Sequence, residues 1–125
     1  MILLIDAHVL VWWLAEDQTL PPDVRSAMAD PANDVIVSAA TVWELAIKRA
    51  KGKIRIPSDL TVAIAAVGFS SVPVTSEDAE TAAELPPHHQ DPFDRMLVAQ
   101  AQRLGAVLVS RDAAFDAYGL DILRS

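Results

Sequence analysis

Asp6, Glu44, Asp94 and Asp112 are the side chains whose types and positions could do chemistry together. Asp6 closes the apolar run Ile2-Leu3-Leu4-Ile5, and Asp112 follows Ala106-Val107-Leu108-Val109-Ser110. Both runs have the length and β-branched content of buried strands, whereas Glu44 and Asp94 fall on helical patterns able to lean over the same edge. Ligands of open α/β sheets bind beyond the carboxyl ends of the strands, so acids at those points converge on one crevice. Carboxylates gathered without cysteine or a close pair of histidines form an oxygen-donor set, which suits Mg²⁺ or Mn²⁺. A divalent cation held there can activate water and bridge phosphoryl oxygens, the chemistry of phosphodiester hydrolysis.

Each acid also has a purely local explanation. Asp6 can cap the helix that begins near His8, a contribution of roughly 1 kcal/mol. Glu44 lies at the margin of the stripe Ala40, Trp43, Ile47 and Ala50, and Lys48 at i+4 is its local ion-pair partner. Asp91, Pro92 and Asp94 read as cap, first helical residue and third residue reaching back to the cap. Yet the apolar pattern after Asp94 turns this helix onto the sheet, leaving the acid to face inward from a helix N-terminus whose dipole favours it. Asp112 can cap the turn toward Phe115, and Asp116 competes with it as the acid of that segment. Ser110 is either a ligand-shell hydroxyl or a turn residue. His88 and His89, in a proline-containing loop, are expected to be solvated, and His8, which shares a face with Trp12, to be packed or interfacial. Trp12, Trp13 and Trp43 are expected as core or dimer anchors.

The elements that must position these residues alternate. Strands are expected at 2–6, 35–37, 71–74, 106–110 and 120–123. Helices are expected at 8–15, 22–29, 38–51, 58–68, 75–85 and 91–105, with a brief one near 113–117. Ser38 is the expected cap of the third helix and Gly52 its terminator. The proline in Ser71-Val72-Pro73-Val74 marks an edge or strand end. Such alternation gives an α/β fold: a three-layer sandwich with a mainly parallel sheet of four to five strands and helices on both faces.

At 125 residues the chain is expected to be a single domain, 1–125, with one well-filled core. No cysteine is present, which excludes disulfides, thiolate nucleophiles and cysteine-ligated zinc. Hydrophobic residues reach 52%, high enough that some apolar surface should meet another subunit or partner. No apolar run is long enough to cross a bilayer, and the N-terminus lacks the basic residues of a secretory signal, so the expected location is cytoplasmic. The net charge of −7 opposes binding to a polyphosphate. Against that, Lys48, Arg49, Lys51, Lys53 and Arg55 place half of the chain's ten cations in eight residues. This run is either a local guide for a nucleic-acid backbone or a solvated helix end.

Taken together, the motifs resemble those of the PIN-domain ribonucleases, and among them the toxins of VapC-type toxin–antitoxin pairs. The likeness covers nearly the whole chain. It is carried by Leu3-Leu4-Ile5-Asp6 with Trp12-Trp13, by Ser38-Ala39-Ala40-Thr41-Val42-Trp43-Glu44-Leu45, by Asp91-Pro92-Phe93-Asp94-Arg95-Met96-Leu97-Val98-Ala99-Gln100-Ala101, and by Leu108-Val109-Ser110-Arg111-Asp112. The resemblance implies that Asp6, Glu44, Asp94 and Asp112 match the family's acidic quartet and Ser110 its strand-end hydroxyl, with Asp94 rather than Asp91 as the third acid. It also implies RNA as substrate, a homodimer, and an antitoxin that blocks the crevice. Ala7 departs from the pattern, since many relatives carry a hydroxyl residue directly after the first aspartate.

Two other readings compete. A non-catalytic α/β protein-interaction module would keep the fold and use its apolar surface alone. An aspartyl phosphatase would place its nucleophile after the first strand, but such enzymes need a second aspartate where this chain has His8.

Overall fold

A computed structural model describes residues 1–125. Its five strands, β1 (Ile2–Ile5), β2 (Asp34–Ser38), β3 (Ser70–Val72), β4 (Val107–Ser110) and β5 (Ile122–Arg124), form one sheet in the order β3-β2-β1-β4-β5. Every pairing is parallel. The chain steps outward from β1 to β2 and β3, then returns to lay β4 on the opposite side of β1. The topological switch point therefore lies between the carboxyl ends of β1 and β4. Asp6 and the Ser110–Asp112 segment leave the sheet at that point.

β1 is central, and its alternation decides the layers. Leu3 and Ile5 face one core together with Val9, Leu10, Leu45 and Ile64, contributed by α1 (Ala7–Leu14), α3 (Ala39–Ala50) and α4 (Leu60–Ala66). Val24 and Met28 of α2 (Pro22–Ala29) complete that layer. Leu4 points the other way, to Leu97, Val98 and Ala101 of α6 (Pro92–Leu104) and to Phe115 of a 3₁₀ turn (Ala113–Tyr118). α5 (Ser76–Glu84) packs outside α6. Leu3, Leu4 and Ile5 are all fully buried, and burial of each such side chain is worth about 1.5–3 kcal/mol.

Local signals set the ends of most elements. Ser38 caps α3 by accepting from the Ala40 N–H at 3.1 Å. Gly105, with φ 63°, closes α6 in the left-handed conformation that glycine adopts without a Cβ penalty. Four expectations shift. α4 begins after Asp59, not Ser58, because the Asp59 carboxylate takes the Val62 N–H. β3 stops at Val72, since Pro73 has no N–H to continue the ladder. β5 runs from Ile122 to Arg124 rather than from Leu120, because Gly119 turns the chain at φ 70° before pairing resumes with Leu108 opposite Ile122.

The fourth shift concerns α3. Ala40, Thr41 and Leu45 form its buried face, whereas Trp43 is 64% exposed, edge-on to Phe93 with ring centroids 5.3 Å apart. Helical spacing identifies a stripe but not its neighbours. Here the face turned to the core carries Ala40, Thr41 and Leu45, and the indole stays at the surface. No helix is long and apolar enough to cross a membrane.

Candidate active site

The switch point opens into a cleft of about 510 Å³ whose lining includes Asp6, Glu44, Asp94 and Asp112. Four acids from distant parts of the chain thus share one concavity. Asp6 is both cap and cleft residue: its Oδ1 accepts the Val9 N–H at 3.0 Å while it lies buried at the head of α1. Burial raises its pKa above the ordinary value, opposed by the Ser110 hydroxyl beside it and by the Val9 N–H. Ser110 is fully buried, and its Oγ accepts the backbone N–H of Asp112 at 3.1 Å, which fixes the turn that presents that acid.

Asp91 behaves as the cap of α6, its Oδ1 accepting the N–H groups of Phe93 at 2.8 Å and of Asp94 at 3.1 Å. Asp94 does not reach back to it. The Asp91 N–H instead donates to Nδ1 of His89 at 3.2 Å, and the Asp94 carboxylate turns into the cleft. Burial first, then the charge of Asp91, with smaller pushes from Glu44 and Asp6 against a pull from His89, raise the Asp94 pKa to about 7. Carboxylates this close cannot all ionise comfortably without a cation.

Asp112 is held below the usual carboxylate range, chiefly by the Ala114 N–H and then by His89. Asp116 is engaged elsewhere, with the Arg124 guanidinium 2.6 Å from its Oδ1. Glu44 lines the cleft but pairs with Lys48 at 2.9 Å, so the local and the site readings both hold in part.

The tightest set of potential ligand atoms is not the quartet. It comprises His89, Asp94 and Asp112, whose ligand atoms all lie within 4.8 Å of one another. His89 Nε2 is 3.0 Å from Oδ2 of Asp94 and 3.0 Å from Oδ2 of Asp112. The expectation of a solvated His89 is therefore wrong. Its ring packs against Phe115 at 5.4 Å, whereas His88 is exposed, and so is His8 at the cleft, with its ring 5.8 Å from that of Trp12. Trp12 packs against the core, as expected, and also reaches the site. It lines the cleft with the Arg111 guanidinium 4.2 Å above its ring.

Comparison with known proteins decides the family. The PIN domain model matches residues 3–120. The chain belongs to the PIN-domain family. Ribonuclease VapC22 of Mycobacterium tuberculosis is 33% identical over 112 residues, spanning 87% of this PIN domain and 85% of that protein. VapBC2 from Rickettsia felis, solved bound to a DNA fragment from its promoter, superposes with a TM-score of 0.69 at 13% identity, over 99% of this chain and 98% of that one. A toxin–antitoxin complex from Klebsiella pneumoniae gives 0.64 at 17% identity, over 96% and 94%. These structural likenesses support the α/β architecture of the PIN domain.

Two residues that the sequence reading passed over support the site from behind. Arg95 donates to the carbonyls of Ala82, Ala83, Leu85, Pro86 and His89, at 2.7–3.3 Å, capping α5 and pinning the loop that carries His89. The Tyr118 hydroxyl donates to Pro86 O at 2.7 Å and accepts the His89 N–H at 2.9 Å. The available signal was an arginine following Asp94 in the first turn of a helix, opposite the exposed carbonyls that end the preceding one.

Proposed function

We propose that this PIN domain is a Mg²⁺-dependent endoribonuclease, the toxin of a toxin–antitoxin pair, with Asp6, Glu44, Asp94 and Asp112 as its metal-site residues and Ser110 as the hydroxyl that orders them. The observation that carries the reading is the convergence of these acids in one cleft at the switch point of the sheet, combined with the raised pKa of Asp94. The donor set consists of hard oxygens on crowded carboxylates, so the residues present fit Mg²⁺ or Mn²⁺. The sequence alone pairs Asp6 with Asp94 on the principal ion, with Glu44 and Asp112 completing its water shell or binding a second one. Because Asp94 and Asp112 both lie 3.0 Å from His89 Nε2, these two would instead hold it, with Asp6 and Glu44 in the completing role. When bound, the cation lowers the pKa of a water and offsets charge on the phosphoryl oxygens.

The chain's own groups do the rest. Asp6 is anchored by the Val9 N–H and stays rigid at the head of α1. Lys48 and Arg111 line the same cleft and would draw the RNA phosphates toward the acids. Lys51, Lys53 and Arg55 add exposed cations after α3, which offset the acidic net charge locally. The partners we propose are a cognate antitoxin, a basic segment of which would suit the acidic cleft, and a second copy of the chain. An apolar groove of about 500 Å³ beside exposed Trp43, with Phe93 and Met96, is surface suited to a protein partner. The proposed location is the cytoplasm, where such RNA is found.

Incubation of the purified chain with end-labelled RNA tests this reading. Internal cleavage that requires Mg²⁺ and stops with EDTA supports it; cleavage indifferent to EDTA contradicts it.

A further inference from the structure

This inference rests on the reading that Asp94 and Asp112 hold a divalent cation. His89 presents that site with a hydrogen, not a lone pair. Its Nδ1 accepts the Asp91 N–H at 3.2 Å, which leaves the ring proton on Nε2. Nε2 lies 3.0 Å from a carboxylate oxygen of each acid. A nitrogen that bears hydrogen has no electron pair for a metal. The Nε2–H is thus shared by one oxygen from each of the two acids assigned to the cation.

The placement is built, not incidental. The His89 N–H is fixed by Tyr118, its carbonyl by Arg95 at 3.1 Å and its ring by Phe115. Only 13% of the side chain is exposed. Rotating the ring to turn a lone pair toward the acids would cost both carboxylate contacts and the Asp91 N–H bond.

We propose that His89 is a positioning residue that stands in for the cation, holding the Asp94 and Asp112 oxygens together in the metal-free protein and yielding them when the metal binds. Cation affinity is then set by competition with the Nε2–H. A state that must first release its carboxylates binds more weakly by the fraction in which they are free. Hydrogen bonds to ionised groups are strong enough for this competition to weaken binding roughly tenfold.

Mn²⁺ titrated into the metal-free full chain, with free ion read by its electron paramagnetic resonance signal, tests the proposal. The proteins are wild type, His89→Leu, which keeps apolar contact with Phe115 but removes the donor, and His89→Ala. Circular dichroism establishes that each is folded. The expected result is a Kd about tenfold tighter in the variants. Pulsed resonance on wild-type protein with bound Mn²⁺ should show no directly coordinated imidazole nitrogen. A looser Kd in the variants, or an imidazole nitrogen on the wild-type Mn²⁺, makes His89 a ligand and overturns the proposal. Equal Kd values overturn it too, while leaving the carboxylate site standing. Failure of all three proteins to bind Mn²⁺ removes the cation site and this proposal together.

Discussion

The backbone N–H of Asp91 ends on Nδ1 of His89, 3.2 Å away, and not on the carboxylate of Asp94 three residues ahead. The contrast with α5 gives this its meaning. There Thr75 and Asp78 close a full capping box, and Asp78 is spent on the cap and on Arg103. In α6 the histidine takes the back-bond, and the acid at the equivalent position is released into the cleft.

Separate roles for Asp91 and Asp94 follow. Asp91→Ala should lower stability by about 1–2 kcal/mol through loss of the cap, whereas Asp91→Asn should cost a few tenths. Chemical denaturation of the metal-free variants measures both. Equal losses would show that the carboxylate charge, not the cap, matters at this position.

Asp94→Asn should leave the metal-free melting temperature unchanged or slightly higher, because it removes a crowded charge and no cap hydrogen bond. The same variant should lose most of the melting-temperature rise that millimolar Mg²⁺ gives the wild type. Calorimetry with and without Mg²⁺ reads both effects; an unaltered Mg²⁺ response would remove Asp94 from the proposed ligand set.

The pH dependence has a definite sign. A carboxyl whose pKa is raised on folding binds its proton more tightly in the native state. Its contribution is fully present below the unfolded value of 3.8 and is lost as pH climbs through about 7, as for Asp94. Asp6 acts in the same direction. Asp112 and Asp78, both lowered, contribute above 3.8 and lose that contribution as pH falls. In EDTA the melting temperature should therefore fall from pH 5 to pH 8, while the gap opened by Mg²⁺ widens as its ligands ionise. A melting temperature that rises over that range in EDTA would contradict the crowding.

Arg95→Lys should cost about 2–3 kcal/mol, since a single ammonium cannot reach carbonyls spread over α5 and the following loop. Hydrogen exchange should show the loop 85–91 loosened, with the Asp91 N–H losing protection. A protected loop in this variant would assign its order to Tyr118 instead.

Much of this was readable from the residues because it is local or periodic. The run Leu3-Leu4-Ile5 requires burial on both sides, which makes β1 central and sends Asp6 to a strand end. Cap chemistry located Asp91, Ser38 and Gly105. The failures share another cause: His89, and Trp43 as part of the buried stripe of α3, were judged by their neighbours in sequence, but their settings come from Asp112 and Phe93, 23 and 50 positions away. Arg95 was missed for the same reason, since its partners are carbonyls and carry no mark in side-chain type.

The most direct measurement is the rate of RNA cleavage in Mg²⁺ by wild type, Asp6→Asn and Asp94→Asn, each verified as folded. A cation that stabilises the reacting phosphate by several kcal/mol predicts a loss of about a hundredfold or more in both variants. Wild-type rates in the two variants would contradict the claim that these cleft acids form the catalytic centre.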